Sequence, residues 1–372
     1  MPEWRYLAQR VTGEWVHMDL PLRRDELRWD LNGPGSLQAT ISPEMVGLLG
    51  EDEHPLLDEW RTFLYAEADG QIRWGGIIIH SDFNGAAWKI EAAGFSTYAS
   101  GLPYTGEKWS KLQIDPFTAV RYIWDHIQSQ PDGDLGLIVD PPTSDALIGT
   151  PAVDNPGTQF DAEAHPYELS WWEAQDLGGE LDNLAKETPF DYTETHTWDG
   201  DNVRHEIKYG YPRLGRRRTD LVFEQGVNVS AVIPVSRNGD TFVNGMVGLG
   251  RGEGRGTTYT TSVERDGRLR RVGVFTDKSI RDKARLRSFC SDEMHARGLR
   301  LDIAAITVVD HPNAPIASWE VGDDILIEAR LPWLGDVQVW SRITSWALVS
   351  DSKATLTVSR SDRFRYRGTT SE

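Results

Sequence analysis

The sequence predicts a mainly β protein carrying an α/β insertion, and three observations lead there. Apolar residues alternate with polar ones in two adjacent runs, Leu27, Trp29 and Leu31 followed by Leu37, Ala39 and Ile41, which is the period of a half-buried strand. The residues between those runs, Asn32-Gly33-Pro34-Gly35, are nearly all turn formers, since Gly supplies positive φ and Pro fixes φ near −65°. Finally, 35 Gly, 19 Pro and 15 Trp among 372 residues suit short strands joined by tight turns better than a helical bundle.

Read in order, residues 1–107 form a continuous β module. Strands are expected at 4–7, 15–20, 26–31 and 36–41, then a short helical stretch at 43–49, then strands at 62–68, 72–81 and 88–93. Asp69-Gly70 and Asn84-Gly85 mark hairpins. Such a string of antiparallel strands suggests a barrel or sandwich. At Asp115-Pro116 the character changes: an N-cap Asp and a Pro at the first helical position open a helix bearing Phe117, Val120, Trp124 and Ile127 on one face. A second helix is expected from Ser170, where Ser170-Trp171-Trp172-Glu173 reads as a capping box ahead of Ala174, Leu177, Leu181 and Leu184. Loops rich in Pro, Asp and Gly separate the helices across 131–166, around one short strand at 135–139, so 108–190 is an α/β insertion.

Strands resume at 190–197 and 203–209, turning at Asp199-Gly200, and continue at 220–223, 227–234 and 241–247 in a β-rich middle segment, 191–274, that either completes the first barrel or forms a further domain. Residues 248–256 are Gly-rich, but they lack the Gly-Lys-Ser/Thr ending of a phosphate loop and read as a flexible loop. Asp266-Gly267 suggests a further hairpin. A third helix over 277–297 opens the last module, 275–372, with strands at 300–308, 324–329, 337–349 and 354–359. This end echoes the first module. Residues 74–92 and 337–359 each run as a long strand, a tight turn and a second strand after a shorter one, a duplication of fold rather than of residues.

Composition narrows function. No run approaches the roughly 18–20 apolar residues of a membrane span, and no basic-then-apolar leader opens the chain, so synthesis and folding in a cytoplasm are expected. The net charge of −18 argues against nucleic-acid binding, which needs an excess of Lys and Arg, with Arg213–Arg218 as the local exception. Cys290 is the single cysteine; Leu286, Phe289 and Met294 recur around it at helical spacing, which indicates a buried thiol rather than a nucleophile. Nine scattered histidines form no His-Glu-x-x-His motif and no close pair with metal-ligand spacing, and no Gly-x-Ser-x-Gly elbow occurs. No catalytic, cofactor-binding or metal residue is therefore assigned. Trp171, Trp172, Trp109 and Trp319 could build a sugar-stacking platform, although core or interface packing is the simpler role.

Several segments resemble one known family. Leu31 to Ile41 looks like the N-terminal module of minor tail proteins from siphophages of actinobacteria, the Gp37-like tail proteins. Trp74-Gly75-Gly76-Ile77-Ile78, Ile90 to Phe95, Tyr209 to Arg216, Glu320 to Ile325 and Arg342-Ile343 are similar to successive later parts, in the same order. The resemblance implies kinship with the baseplate or tail-tip hubs of tailed phages. It implies two antiparallel β-barrel tube-forming modules per chain, a homotrimeric ring closing the tail tube and opening for DNA passage, and no catalytic residues or cofactors. The implied partners are the distal tail protein, the tape-measure protein and other minor tail proteins, with transient passage of phage DNA and no membrane span. The place implied is the tail tip of the virion. Two other readings stand beside it: a glycan-binding or cell-wall-degrading tail-tip protein, and a host receptor-binding protein using the 131–166 loops.

Overall fold

The structure, a computed structural model, describes residues 3–364 apart from 86, 152–163, 189, 231, 238, 279, 281, 299 and 333. The chain divides into two compact units, one of Met1–Arg216, Ile316–Asp323 and Thr344–Thr355, the other of Arg217–Pro315, Asp324–Ile343 and Leu356–Glu372.

The first unit begins with β1 (Trp4–Arg10), β2 (Trp15–His17), β3 (Leu22–Asp30), β4 (Ser36–Ile41), β5 (Thr62–Ala68), β6 (Gln71–Asn84) and β7 (Ala87–Ala93). They form one antiparallel sheet in the order β2-β1-β5-β6-β7-β4-β3. The turns that join them are those the sequence marks: Asp69, Gly70 and Gly85 all take positive φ. In β4 the alternation is realised, with Leu37, Ala39 and Ile41 buried. β5 is buried along its whole length, because Phe63 and Tyr65 join a core with Phe117 and Trp124 of the insertion and with Ile207 beyond it.

That insertion comprises β8 (Trp109–Lys111), α1 (Pro116–Gln128), β9 (Leu137–Val139), β10 (Tyr167–Leu169) and α2 (Leu177–Glu187), and it leads into β11 (Asp191–Asp199) and β12 (Asn202–Gly210). β11, β12 and β9 make a three-stranded sheet. Asp115 caps α1, accepting from the Phe117 amide at 3.0 Å, and it also accepts from the Ser144 amide (3.0 Å) and hydroxyl (2.9 Å). Asp115→Ala should therefore lower stability by about 1–2 kcal/mol in denaturant titration, the upper end of a cap's range because a loop is released too. A loss within error of zero would show that the cap is redundant.

The second helix starts later than its capping box suggests. Ser170 only closes a turn, its carbonyl accepting from Glu173 (3.2 Å), and Ala174 has φ +46. Asp176 is the true N-cap, accepting from the Gly178 amide at 3.2 Å, so Trp171 and Trp172 sit on a turn and not on a helix.

The second unit contains β13 (Arg217–Glu224), β14 (Val235–Ser236), β15 (Gly245–Leu249), β16 (Tyr259–Val263), β17 (Val272–Thr276), α3 (Lys283–Ala296), β18 (Asp302–Ile303) and β19 (Ala305–Val309). β20 (Asp324–Leu331), β21 (Gly335–Ser350) and β22 (Lys353–Arg360) are the remaining strands among the described residues. β20 pairs antiparallel with β21 and parallel with β13, and β22 pairs with β19 and β21. In the first unit, residues 345–348 of β21 pair with 27–30 of β3.

Several expectations change here. Among the described residues of 227–234 no strand forms, and α3 begins at Lys283 rather than 277. Gly248 lies in β15 rather than in a flexible loop: a Cβ there would stand 2.5 Å from the Cys290 sulfur of α3, so glycine permits the helix to lie against the sheet. Asp266-Gly267 makes no hairpin, because β16 and β17 flank β15 from opposite sides, antiparallel and parallel. Cys290 is buried, as its helical spacing implies.

The echo between the two ends is present as topology. β5, β6 and β7 form a meander of 7, 14 and 7 residues, and β20, β21 and β22 repeat it with 8, 16 and 8. No pairing among the described residues closes any sheet into a barrel.

Candidate functional site

The titratable groups that chemistry would need converge at one place in the first unit. Counting outward from the Asp199-Gly200 turn, β11 and β12 pair 199 with 202 and hence His196 with His205, both buried. Their Nδ1 atoms lie 3.4 Å apart. His205 Nε2 is 3.3 Å from the Tyr65 hydroxyl, which donates to Gln9 Oε1 at 2.9 Å; Gln9 Nε2 donates in turn to the Gly13 carbonyl at 2.9 Å. A hydroxyl has one proton to give, so Tyr65 accepts from His205 Nε2–H. His205 Nδ1 is then bare and accepts from His196 Nδ1–H. The chain of donors runs one way, through two neutral imidazoles, from His196 to Gly13.

Aromatic packing fixes the rings. His205 stacks on Tyr65 (centroids 5.6 Å apart, planes 2° apart) and on Phe95 (4.3 Å, 24°). Beside them the Glu194 carboxyl, its side chain 7% exposed, accepts from the Phe95 and Ser96 amides at 2.7 and 2.9 Å, and it lies 3.8 Å from His196 Nε2. Burial governs the protonation of all three. It lowers His196 to about 3, with His205 adding to the effect, and lowers His205 to about 4. Burial raises Glu194 to about 7 against the opposing hydrogen bonds from residues 95 and 96.

A carboxyl near neutrality beside an imidazole is the material of acid–base catalysis. Access to these groups is narrow. The crevice reaching Glu194 and His196 holds about 10 Å³, space for one water at most. The Asn32–Gly35 turn closes it: Asn32 donates its amide to the Tyr192 carbonyl (3.0 Å) and accepts from the Tyr192 amide (2.7 Å), and the Pro34 carbonyl accepts from Gly94 (3.2 Å). The turn that first signals a β module is thus the clamp over a buried polar core. Among the described residues no group of three or more His, Cys, Asp or Glu could hold a metal ion.

The tryptophans suggested as a platform are not equivalent. Trp319 is buried and meets Trp346 edge-on, while Trp346 stacks on Trp29 with centroids 3.9 Å apart. Trp109 lies flat against Tyr122 at 4.2 Å. Trp171 and Trp172 are 61% and 55% exposed and meet each other at right angles.

The chain has counterparts in fold along nearly its whole length. It is similar to a 43 kDa tail protein of prophage MuSo2 from Shewanella oneidensis, with TM-score 0.55 and 12% identity over 97% of this chain and 99% of that one. Prophage tail protein gp18 from Listeria monocytogenes matches with TM-score 0.56 and 10% identity over 97% and 95%. The fold is that of phage tail proteins. A tail protein from Neisseria meningitidis agrees, with TM-score 0.54 and 11% identity over 96% and 97% of the two chains. No protein-family profile matches the chain, and no curated protein matches it in sequence.

Sequence reading missed the histidine pair, although its signal was present. Residues 196 and 205 are far from metal-ligand spacing along the chain, and only the hairpin turn between them places them opposite each other.

Proposed function

We propose that this chain is a structural component of a phage tail tip: a hub that forms a trimeric ring at the end of the tail tube and opens for DNA passage. The observation that carries the proposal is the end-to-end agreement with phage tail proteins, nearly complete for both chains in each comparison. The repeated meander supports two tube-forming modules, in 1–107 and 275–372, that would give a three-chain ring pseudo-sixfold symmetry. The insertion 108–190 and the middle segment 191–274 would lie between them. The closed crevice at Glu194 and His196 favours a non-enzymatic role. Affiliation with the Gp37-like proteins of actinobacteriophage siphoviruses, and contacts with the distal tail, tape-measure and other minor tail proteins, belong to the same proposal. Imaging of virions with the chain tagged should show three copies below the tube; one copy or six would overturn the hub assignment.

A glycan-binding reading has one specific observation in its favour, the exposed Trp171–Trp172 pair. Trp171→Ala with Trp172→Ala should leave stability within about 0.5 kcal/mol, as expected for exposed positions. Loss of binding to host cell wall in a pull-down would support the glycan role. Unchanged binding together with failure to enter tails would assign the pair to a protein contact.

A further inference from the structure

The second unit contains a small module whose two faces are chemically opposite. On one face of the β16-β15-β17 sheet, α3 packs Leu286 and Cys290 against Met246 and Gly248. The register puts Val247, Leu249, Tyr259, Val263, Val272 and Val274 together on the other face. Tyr259, Val263, Val272 and Val274 are 52%, 49%, 45% and 59% exposed, and the remaining positions of that face are Gly245, Thr261 and Thr276. No charged side chain stands on it. The outer edges of β16 and β17 are unpaired among the described residues. An uncharged, β-branched sheet face with free edges invites association.

Charge identifies the occupant. Residues 251–300 hold 13 Lys and Arg against 7 Asp and Glu, a net +6, which leaves −24 on the rest of a chain of net −18. Arg265, Arg268, Arg270 and Arg271 gather on the 264–271 loop between β16 and β17, where Leu269 is 90% exposed, and Lys283, Arg285 and Arg287 are exposed on α3. One chain therefore carries both halves of a complementary pair. We infer that the outer face of β16-β15-β17, rimmed by the 264–271 arginines, docks onto an acidic surface of a second copy of this chain. Such a contact joins unlike surfaces, and contacts of that kind close into a ring when the rotation permits. The inference rests on the trimeric reading above and locates one side of its interface. Nucleic acid fits the surface less well, because the arginines rim the apolar face and do not lie on it.

The test uses the full chain. Light scattering after size exclusion should give three times the 41.9 kDa chain mass. Val274→Glu should weaken association by roughly tenfold or more, and Arg265→Glu with Arg270→Glu should weaken it in a way that high salt imitates in the native chain. Unchanged circular dichroism would show that the variants fold. A second readout exploits the buried Cys290, the one native thiol. In Val274→Cys the added thiol should react about tenfold more slowly in the assembled protein than in dilute monomer. A native trimer in which Val274→Glu still assembles, or in which the 274 thiol reacts freely, overturns the docking face and leaves the trimeric reading standing. A native chain that stays monomeric at every concentration overturns both. Retention of duplex DNA that the arginine variants abolish, with the mass unchanged, also overturns the inference by assigning the patch to nucleic acid.

Discussion

Gly94→Ala should destabilise the first unit by about 2–4 kcal/mol, at or just above the usual cost of overpacking a filled interior. Gly94 has φ −57, so the backbone itself would accept alanine without strain. The cost comes from what a Cβ would meet: the Pro34 carbonyl oxygen, at a distance no real pair adopts, and both Glu194 carboxylate oxygens at 2.7 Å. Neither can yield cheaply. Pro34 belongs to the clamp held by Asn32 on Tyr192, and Glu194 is tied to the amides of residues 95 and 96. Gly47 supplies the control, since it is exposed and a Cβ there meets nothing within 4 Å. Gly47→Ala should change stability by less than about 0.5 kcal/mol. Urea titrations followed by tryptophan fluorescence would compare the two, and equal effects would refute the clamp.

How much of this was legible in the sequence follows from the range of the interactions. Local signals read well. Asp69-Gly70 and Asn84-Gly85 sit at hairpin turns, and Asp115-Pro116 opens α1, because turn and cap chemistry acts within a few residues. Where two local signals compete, the nearer pattern misleads. Ser170 and Asp176 both offer caps; the Gln175 side chain accepts from the Ser170 amide (3.0 Å) and ties residue 170 into a turn, leaving Asp176 to start the helix. Long-range pairing left no local mark, so β16 and β17 flanking β15 could not be told from a hairpin at Asp266-Gly267. The site was hidden for the same reason, since Glu194 and His196 on β11, His205 on β12, Tyr65 on β5 and Gln9 on β1 come from four strands. Net charge concealed the basic 251–300 stretch, because a sum over the chain erases its distribution.

Acid should expose the buried cluster, and the direction of each group fixes the expected curve. His196 and His205 have folded pKa values depressed from 6.5 to about 3 and about 4. Their contribution is present above pH 6.5 and is lost as pH falls, because the unfolded chain takes up protons first. At pH 5 each histidine costs about 2 kcal/mol, so the pair costs about 4. Glu194 acts oppositely. Its folded value is raised from 4.5 to about 7, so its contribution is largest below 4.5 and is lost as pH rises through 7. Between pH 7 and 5 it returns about 2 kcal/mol, and the cluster's net loss is about 2. Glu194→Gln removes the returning part alone, so its loss over that interval should exceed that of the unaltered protein by about 2 kcal/mol, whatever its stability at pH 7. Urea titrations of both proteins at pH 7 and 5 read that difference directly. Parallel losses would mean that Glu194 stays ionised in the fold, its two amide donors outweighing burial; the His196–His205 pair would then face a full negative charge, and the one-way chain of donors from His196 to Gly13 would have to be redrawn.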